Sequence, residues 1–223
     1  ILYDYKTHNQ VLKRCTIFKD LGVVMDPSLN FIPHYAYIYS KALSMLGFII
    51  RNTREFKNTE CLMLLYNTYV RSILEYCTIV WCPYYKVHIK LLESIQRKFC
   101  KYLYNKQQGH YPERNYPHPK LLEDCKVLEL RSRREYLSLM FLYKLWNGLI
   151  VSSNLLSQFN VHVPRTNARN PIFFSTTIAK SNQHNHSPVF DMSHVYNKYR
   201  QALDLFSGSL SQFRYSCTDI VFK

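Results

Sequence analysis

The chain has 223 residues, enough to bury a core as one large domain or two small ones. Its apolar fraction of 47% and charged fraction of 20% are ordinary for a folded domain, and Lys41 and Lys144 interrupt the best apolar runs, which excludes a helical membrane span. The charge is not ordinary: 29 Lys and Arg stand against 15 Asp and Glu, a balance of +14. It points to a polyanionic partner, nucleic acid ahead of an anionic membrane, with a solvated basic surface as the competing reading.

The chain opens Ile1-Leu2-Tyr3, with no initiator Met and no signal-peptide pattern, and reads as a fragment of a longer polypeptide. Seven cysteines, at 15, 61, 77, 82, 100, 125 and 217, form no Cys-x-x-Cys pair. They read as reduced, buried thiols of an intracellular protein. His184 and His186 lie in a Ser/Asn/Gln-rich loop without a companion Cys and read as solvated rather than metal-bound.

In chain order, Ile1–Lys6 and Gln10–Leu12 read as strands around a turn at Thr7-His8-Asn9. Arg14–Phe18 leads into a further strand, Leu21–Met25, and Asp26-Pro27-Ser28 makes a turn. From Pro33 the period becomes helical, with Ile38, Ala42, Met45, Leu46 and Ile49 on one face as far as Thr53. The next helix starts at Asn58 or Thr59 and runs to Pro83. Leu62, Leu65, Tyr66, Tyr69, Ile73 and Tyr76 share its face, Met63, Val70, Leu74, Cys77 and Trp81 widen it, and Arg71 and Glu75 form an ion pair on a narrow polar stripe. So broad an apolar face makes this the central helix.

A third helix, Val87–Tyr104, carries Leu91, Leu92, Ile95, Phe99 and Leu103 on one side. Lys90, Arg97, Lys98 and Lys101 lie on the other, with Glu93 and Arg97 paired. Residues 105–119 hold prolines that exclude regular structure. Lys120–Cys125 makes a helical turn. A helix from Glu129 to Trp146 has Leu130, Leu137, Met140, Phe141 and Leu145 as its face and Gly148 beyond its end. Ser153 caps a short helix, residues 160–190 are irregular, Ser193–Leu205 is helical, and Ser207 begins a last turn ending near Phe213.

Lys19-Asp20-Leu21-Gly22-Val23, with Phe31, His34, Lys41-Ala42 and Leu46-Gly47, resembles the region just after the catalytic palm of LINE-type reverse transcriptases. The most specific stretch is Val70-Arg71-Ser72-Ile73-Leu74-Glu75-Tyr76, Val80-Trp81-Cys82-Pro83 and Leu92-Glu93-Ser94-Ile95-Gln96-Arg97-Lys98-Phe99. It is similar to a signature of jockey-like non-LTR retrotransposon polymerases. Leu130–Arg134 and the tail residues Pro188, Tyr196-Asn197, Asp204, Phe206, Ser209-Leu210 and Phe213 resemble the same proteins' C-terminal region. The resemblance covers nearly the whole chain.

The resemblance implies the C-terminal part of an RNA-directed DNA polymerase. Residues 1–30 would end the palm in β-strands, with Leu21 and Gly22 as a primer-grip-like turn. Residues 31–104 would be a helical thumb and 105–223 a helical extension with irregular loops. The expected fold is mainly α, preceded by a short β-hairpin portion. The expected partners are RNA or RNA–DNA template–primer duplex and the polypeptide's own upstream palm and fingers, not membrane, in cytoplasm and nucleus. The family's Tyr/Phe-Ala-Asp-Asp turn, which with an upstream Asp holds the Mg²⁺ ions, has no counterpart here; Asp4 and Asp124 read as surface carboxylates. Catalytic residues and a metal site are therefore expected upstream, and no cofactor in this chain.

Thumb helices touch the duplex backbone through cations. The candidates are Lys41, Arg51, Arg54 and Lys57, then Arg97, Lys98 and Lys101, then Arg131, Arg133 and Arg134. Against each stands the reading of a solvated helix face, and for Arg131–Arg134 the two are evenly matched. Trp81 reads as a core anchor. The competing functional class is a decayed or co-opted fragment serving as a helical interaction module. On a primed RNA template with Mg²⁺ or Mn²⁺, the purified chain is expected to extend nothing, and any extension above a protein-free blank contradicts that.

Overall fold

The computed structural model describes residues 3, 5–8, 10–162, 172–175, 181–206 and 208–222. Asp4, Ser207 and part of the expected irregular segment 160–190 lie outside the described residues. The fold is mainly α with small antiparallel hairpins at the N-terminal end, as the sequence predicts. Strand β1 (Lys6–Thr7) pairs with β2 (Gln10–Val11). Strand β3 (Phe18–Asp20) pairs with β4 (Val23–Met25), Asp20 opposite Val23, so the connection is the two residues Leu21-Gly22.

Helix α1 (Ile32–Asn52) starts where Asn30 Oδ1 accepts from the Ile32 amide at 2.9 Å, with proline in its first turn. It buries His34, Tyr35, Ile38, Ala42, Leu46 and Ile49, the periodic face. Its end is tied down by Thr53, whose hydroxyl donates to Ile49 O at 2.8 Å and meets the Tyr102 hydroxyl at 2.9 Å. Asn58 caps α2 (Thr59–Tyr66), accepting from the Glu60 and Cys61 amides at 2.9 and 3.2 Å.

The expected central helix is not one helix. A π-helical segment, Asn67–Arg71, follows α2, then α3 (Ser72–Glu75), a break, and α4 (Thr78–Trp81). At the break Tyr76 is extended and Cys77 is left-handed at φ 54°. No Gly or Pro signals it. The tertiary structure holds it instead: the Trp81 indole donates to Tyr76 O at 2.8 Å, and the Tyr35 hydroxyl donates to Trp81 O at 3.1 Å.

The buried face also differs. Leu62, Tyr66, Val70 and Leu74 are fully buried, spaced every fourth residue, while Tyr69 and Tyr76 are half-exposed. In a straight α-helix a four-residue spacing drifts by about 40° per step. The wider π turn takes up that drift and keeps the row facing inward.

Helix α5 (Lys86–Gln108) buries Leu92, Ile95, Phe99 and Leu103 as predicted, and Gly109 ends it at φ 80°. Helix α6 (His118–Asp124) and α7 (Leu130–Trp146) follow, and then α8 (Ser153–Leu156), whose cap position is Ser152, not Ser153. After α9 (Asn182–Asn185), α10 (Pro188–Tyr199) begins five residues before the expected Ser193, because Pro188 suits the first turn of a helix. Helix α11 (Leu210–Val221) is longer than the expected turn and opens on a Ser209–Gln212 capping box.

Two cores result. The first runs from Val23 to Leu130 and stacks Tyr66 on Phe99 with ring centres 4.0 Å apart. The second runs from Leu139 to Val221 around α7, α10 and α11. Both cores draw on α7, and Leu121, Leu122 and Cys125 join the first core. Leu74→Asp places an uncompensated carboxylate in that core and is expected to cost about 3 kcal/mol or more. A melting temperature equal to wild type would show that α3 is peripheral.

Candidate nucleic-acid interface

The turn between β3 and β4 has positive φ at both central residues, 44° at Leu21 and 88° at Gly22. That geometry matches the right-handed twist of the strands but is unusual for a leucine. The Leu21 side chain stands 81% exposed. Gly22 meets its φ without strain, and it is this φ rather than space that favours glycine, since a Cβ there would sit in ordinary contact with the Tyr76 ring at 3.4 Å. The Tyr76 hydroxyl donates to Leu21 O at 2.9 Å. The break after Tyr76 thus lies beside a ring that steadies the turn.

His34, in the first turn of α1, fixes the other side of the hairpin. Its Nδ1 accepts from the Val24 amide at 3.2 Å, which places the proton on Nε2. Burial, helped by the nearby Lys19 charge, pushes its pKa down to about 4, so the ring is neutral at pH 7. Its edge packs against Trp81 at 5.0 Å.

Between hairpin, α1 and α3 lies a cleft of about 380 Å³. Leu21, Gly22 and Tyr76 form one wall, and Lys19, Tyr37 and Lys41 another; none of the described residues that line it is a carboxylate. Lys19 Nζ donates to the Tyr37 hydroxyl at 3.0 Å and sits 4.5 Å over its ring, which holds the ammonium at the mouth. The structure therefore brings Leu21, Gly22 and Lys41 together, and adds Lys19 and Tyr37, which the sequence reading passed over. Lys19 lay inside the quoted run Lys19–Val23, and that was the available signal.

The other candidates divide. Arg51, Arg54 and Lys57 are exposed around the end of α1. Lys98 is exposed and Lys101 half-buried on α5. Arg97 turns inward, donating to Tyr116 O at 3.2 Å rather than pairing with Glu93. Arg133 grips Glu75 with two hydrogen bonds, the second at 2.9 Å. Glu75 also lies 3.8 Å from Arg71, the expected structural pair. Arg134 is 3% exposed and faces Glu93 at 3.6 Å. Only Arg131 of that cluster is exposed, and it pairs with Glu135 at 3.6 Å. Arg97 is held inward on a backbone carbonyl and Arg133 on a carboxylate, so neither stands as a free surface cation, and Arg134 is buried against Glu93. Trp81, 1% exposed, is a core anchor as expected.

The seven cysteines are free, and Cys100, Cys125 and Cys217 are buried. Among the described residues no group of three or more His, Cys, Asp or Glu converges to hold a metal ion. Among the described residues no helix is long and apolar enough to cross a membrane.

No family model matches the chain, and no solved structure matches it. It is similar to an uncharacterized protein of Caenorhabditis elegans, 33% identical over 87 residues. The match covers 39% of this chain and 43% of that protein, so the chain spans less than half the relative's length.

Burial raises the Glu93 carboxyl to about 7, opposed by Arg134 and by the amides of Leu130 and Arg131 at the start of α7. The folded state then holds a proton that the unfolded chain releases near pH 4.5. Stability from this group is present below that pH and is lost as pH rises to about 7. His34 acts with opposite sign over part of the window, so the readout is a difference between proteins. Relative to wild type, Glu93→Gln is expected to gain about 2–3 kcal/mol between pH 5 and 8 in denaturant titrations.

Proposed function

We propose that this chain is the C-terminal part of a reverse transcriptase of the LINE, non-LTR retrotransposon type. In this reading its helical portion holds the template–primer duplex by the phosphate backbone, and polymerase chemistry and its Mg²⁺ belong to upstream residues. The observation that carries the reading is the cleft beside Leu21-Gly22, with Lys19 and Lys41 on its walls and no carboxylate among its lining residues. The overall charge of +14 supports it.

The physical account is electrostatic positioning. Lys19 and Lys41 meet consecutive backbone phosphates and displace counterions, which gives affinity without base preference. The glycine of the turn lets the strand end approach the backbone closely, and the exposed Leu21 side chain abuts it. Lys98 and the exposed Arg51, Arg54 and Lys57 extend the cationic surface.

A second reading, a helical interaction module without enzymatic role, is favoured by apolar side chains that stay exposed on one segment: Leu64 at 66%, Tyr69 at 50% and Tyr76 at 54%. Salt separates the two. Titration of a labelled RNA–DNA duplex at several salt concentrations is expected to give a steep loss of affinity. Lys19→Gln with Lys41→Gln is expected to reduce the log–log slope by about two units, since each phosphate contact contributes about 0.9. A wild-type affinity indifferent to salt, or an unchanged slope in the double variant, removes the cleft from any nucleic-acid path.

A further inference from the structure

A second cavity, of about 310 Å³, lies where the two cores adjoin. Three helices begin at its wall: Lys86 is the first residue of α5, Arg131 the second of α7 and Asp191 the fourth of α10. None of these N-termini has a side-chain cap. At α7 the Leu130 and Arg131 amides turn to the Glu93 carboxyl, while the starts of α5 and α10 place partial positive charge toward this region.

Arg134 supplies the independent observation. Its side chain is 4% exposed and lines the cavity, yet neither terminal guanidinium nitrogen has a hydrogen-bond partner. Its ion-pair partner Glu93 stays at 3.6 Å. A buried guanidinium with unmade hydrogen bonds is costly, and the oxyanion fork it matches best is a phosphate or carboxylate. At the mouth, Lys86 and Arg131 are exposed. Of the carboxylates in the wall, Glu135 is already held by Lys198 at 2.7 Å and by the Tyr199 hydroxyl at 2.6 Å. Burial raises the Asp191 carboxyl against the opposing pull of His186. His186 stacks on Tyr84 with ring centres 4.0 Å apart and completes the wall.

We propose that this cavity is a binding site for a phosphate group, gripped by Arg134 from within and by Lys86 and Arg131 at its mouth. Its size is at the low end for small-molecule pockets, which begin at about 300 Å³, so a phosphate ion or a small phosphomonoester fits. The proposal does not rest on the duplex reading, because Lys19 and Lys41 lie in the other cleft.

The test compares thermal unfolding of the whole chain in potassium phosphate and in potassium chloride at equal ionic strength, with adenosine 5′-monophosphate as a further arm. Phosphate is expected to raise Tm by about 2–4 °C at saturation. Lys86→Gln with Arg131→Gln should match wild-type Tm in chloride, since both side chains are exposed. By calorimetry the double variant should bind phosphate at least about tenfold more weakly. Tighter binding of the nucleotide than of inorganic phosphate identifies a nucleotide's phosphate as the ligand; equal binding identifies the free ion. Equal Tm in phosphate and chloride means that water alone fills the cavity, and an undiminished phosphate effect in the double variant means that the anion binds elsewhere. Either result overturns the proposal.

Discussion

The interaction on which the rest of this structure depends is the hydrogen bond from the Trp81 indole to Tyr76 O. A helix that breaks in its interior leaves a carbonyl without its amide partner, and a buried orphan carbonyl is costly. Trp81 supplies the missing donor from five residues ahead, while its own carbonyl accepts from Tyr35 on α1. The left-handed Cys77 is strained, at about 1–2 kcal/mol. It is tolerated because the break lets Trp81 bury its ring to 1% exposure between α1 and the segment that leads to α5. The same break leaves Tyr76 pointing outward, where its hydroxyl reaches Leu21. One local irregularity thereby positions both the core anchor and the hairpin turn.

Carboxylates tie helices together across the fold. Glu75 on α3 holds Arg133, Glu93 on α5 faces Arg134, and Glu135 on α7 receives Lys198 from α10. Each pair connects elements far apart in sequence. Removing one partner of a buried pair leaves an uncompensated charge, whereas replacing both can be neutral. These bridges therefore set which helices lie against which, more than how stable the whole is. The raised Glu93 carboxyl reflects that balance: desolvation outweighs the attraction of Arg134 at 3.6 Å.

Helices α1 and α5 were legible because each carries a regular apolar row; α7 was legible in extent but not in face, since Leu139, Leu142 and Tyr143 are buried where Leu137 and Phe141 were expected. The central segment was legible as helix but not as a broken one. A π turn has no composition of its own, and the bonds that stabilise the break at Cys77 come from Trp81 and Tyr35, which periodicity does not register. The inward turn of Arg133 and Arg134 was hidden for a related reason. A charged run looks the same in sequence whether it faces solvent or the carboxylates of another helix. The Leu21-Gly22 turn was marked by its glycine. Lys19 and Tyr37 meet only once the hairpin has folded onto α1.

The ion pairs also shape where the net charge of +14 is felt. Pairing leaves the sum unchanged but concentrates Glu75, Glu93 and Glu135 at the junction of the cores, among Arg71, Arg131, Arg133, Arg134 and Lys198. Three carboxylates offset only three of those five cations, so the junction keeps an excess of positive charge, screened beyond roughly 8–10 Å. The cleft between the hairpin and α1 has Lys19 and Lys41 in its walls, with the exposed Asp20 next to Lys19 on β3. Its walls are largely protein of low polarizability, which focuses the field of those ammonium groups outward. Part of the positive charge therefore stands beside a turn that hydrogen bonds from Tyr76 and His34 hold in place.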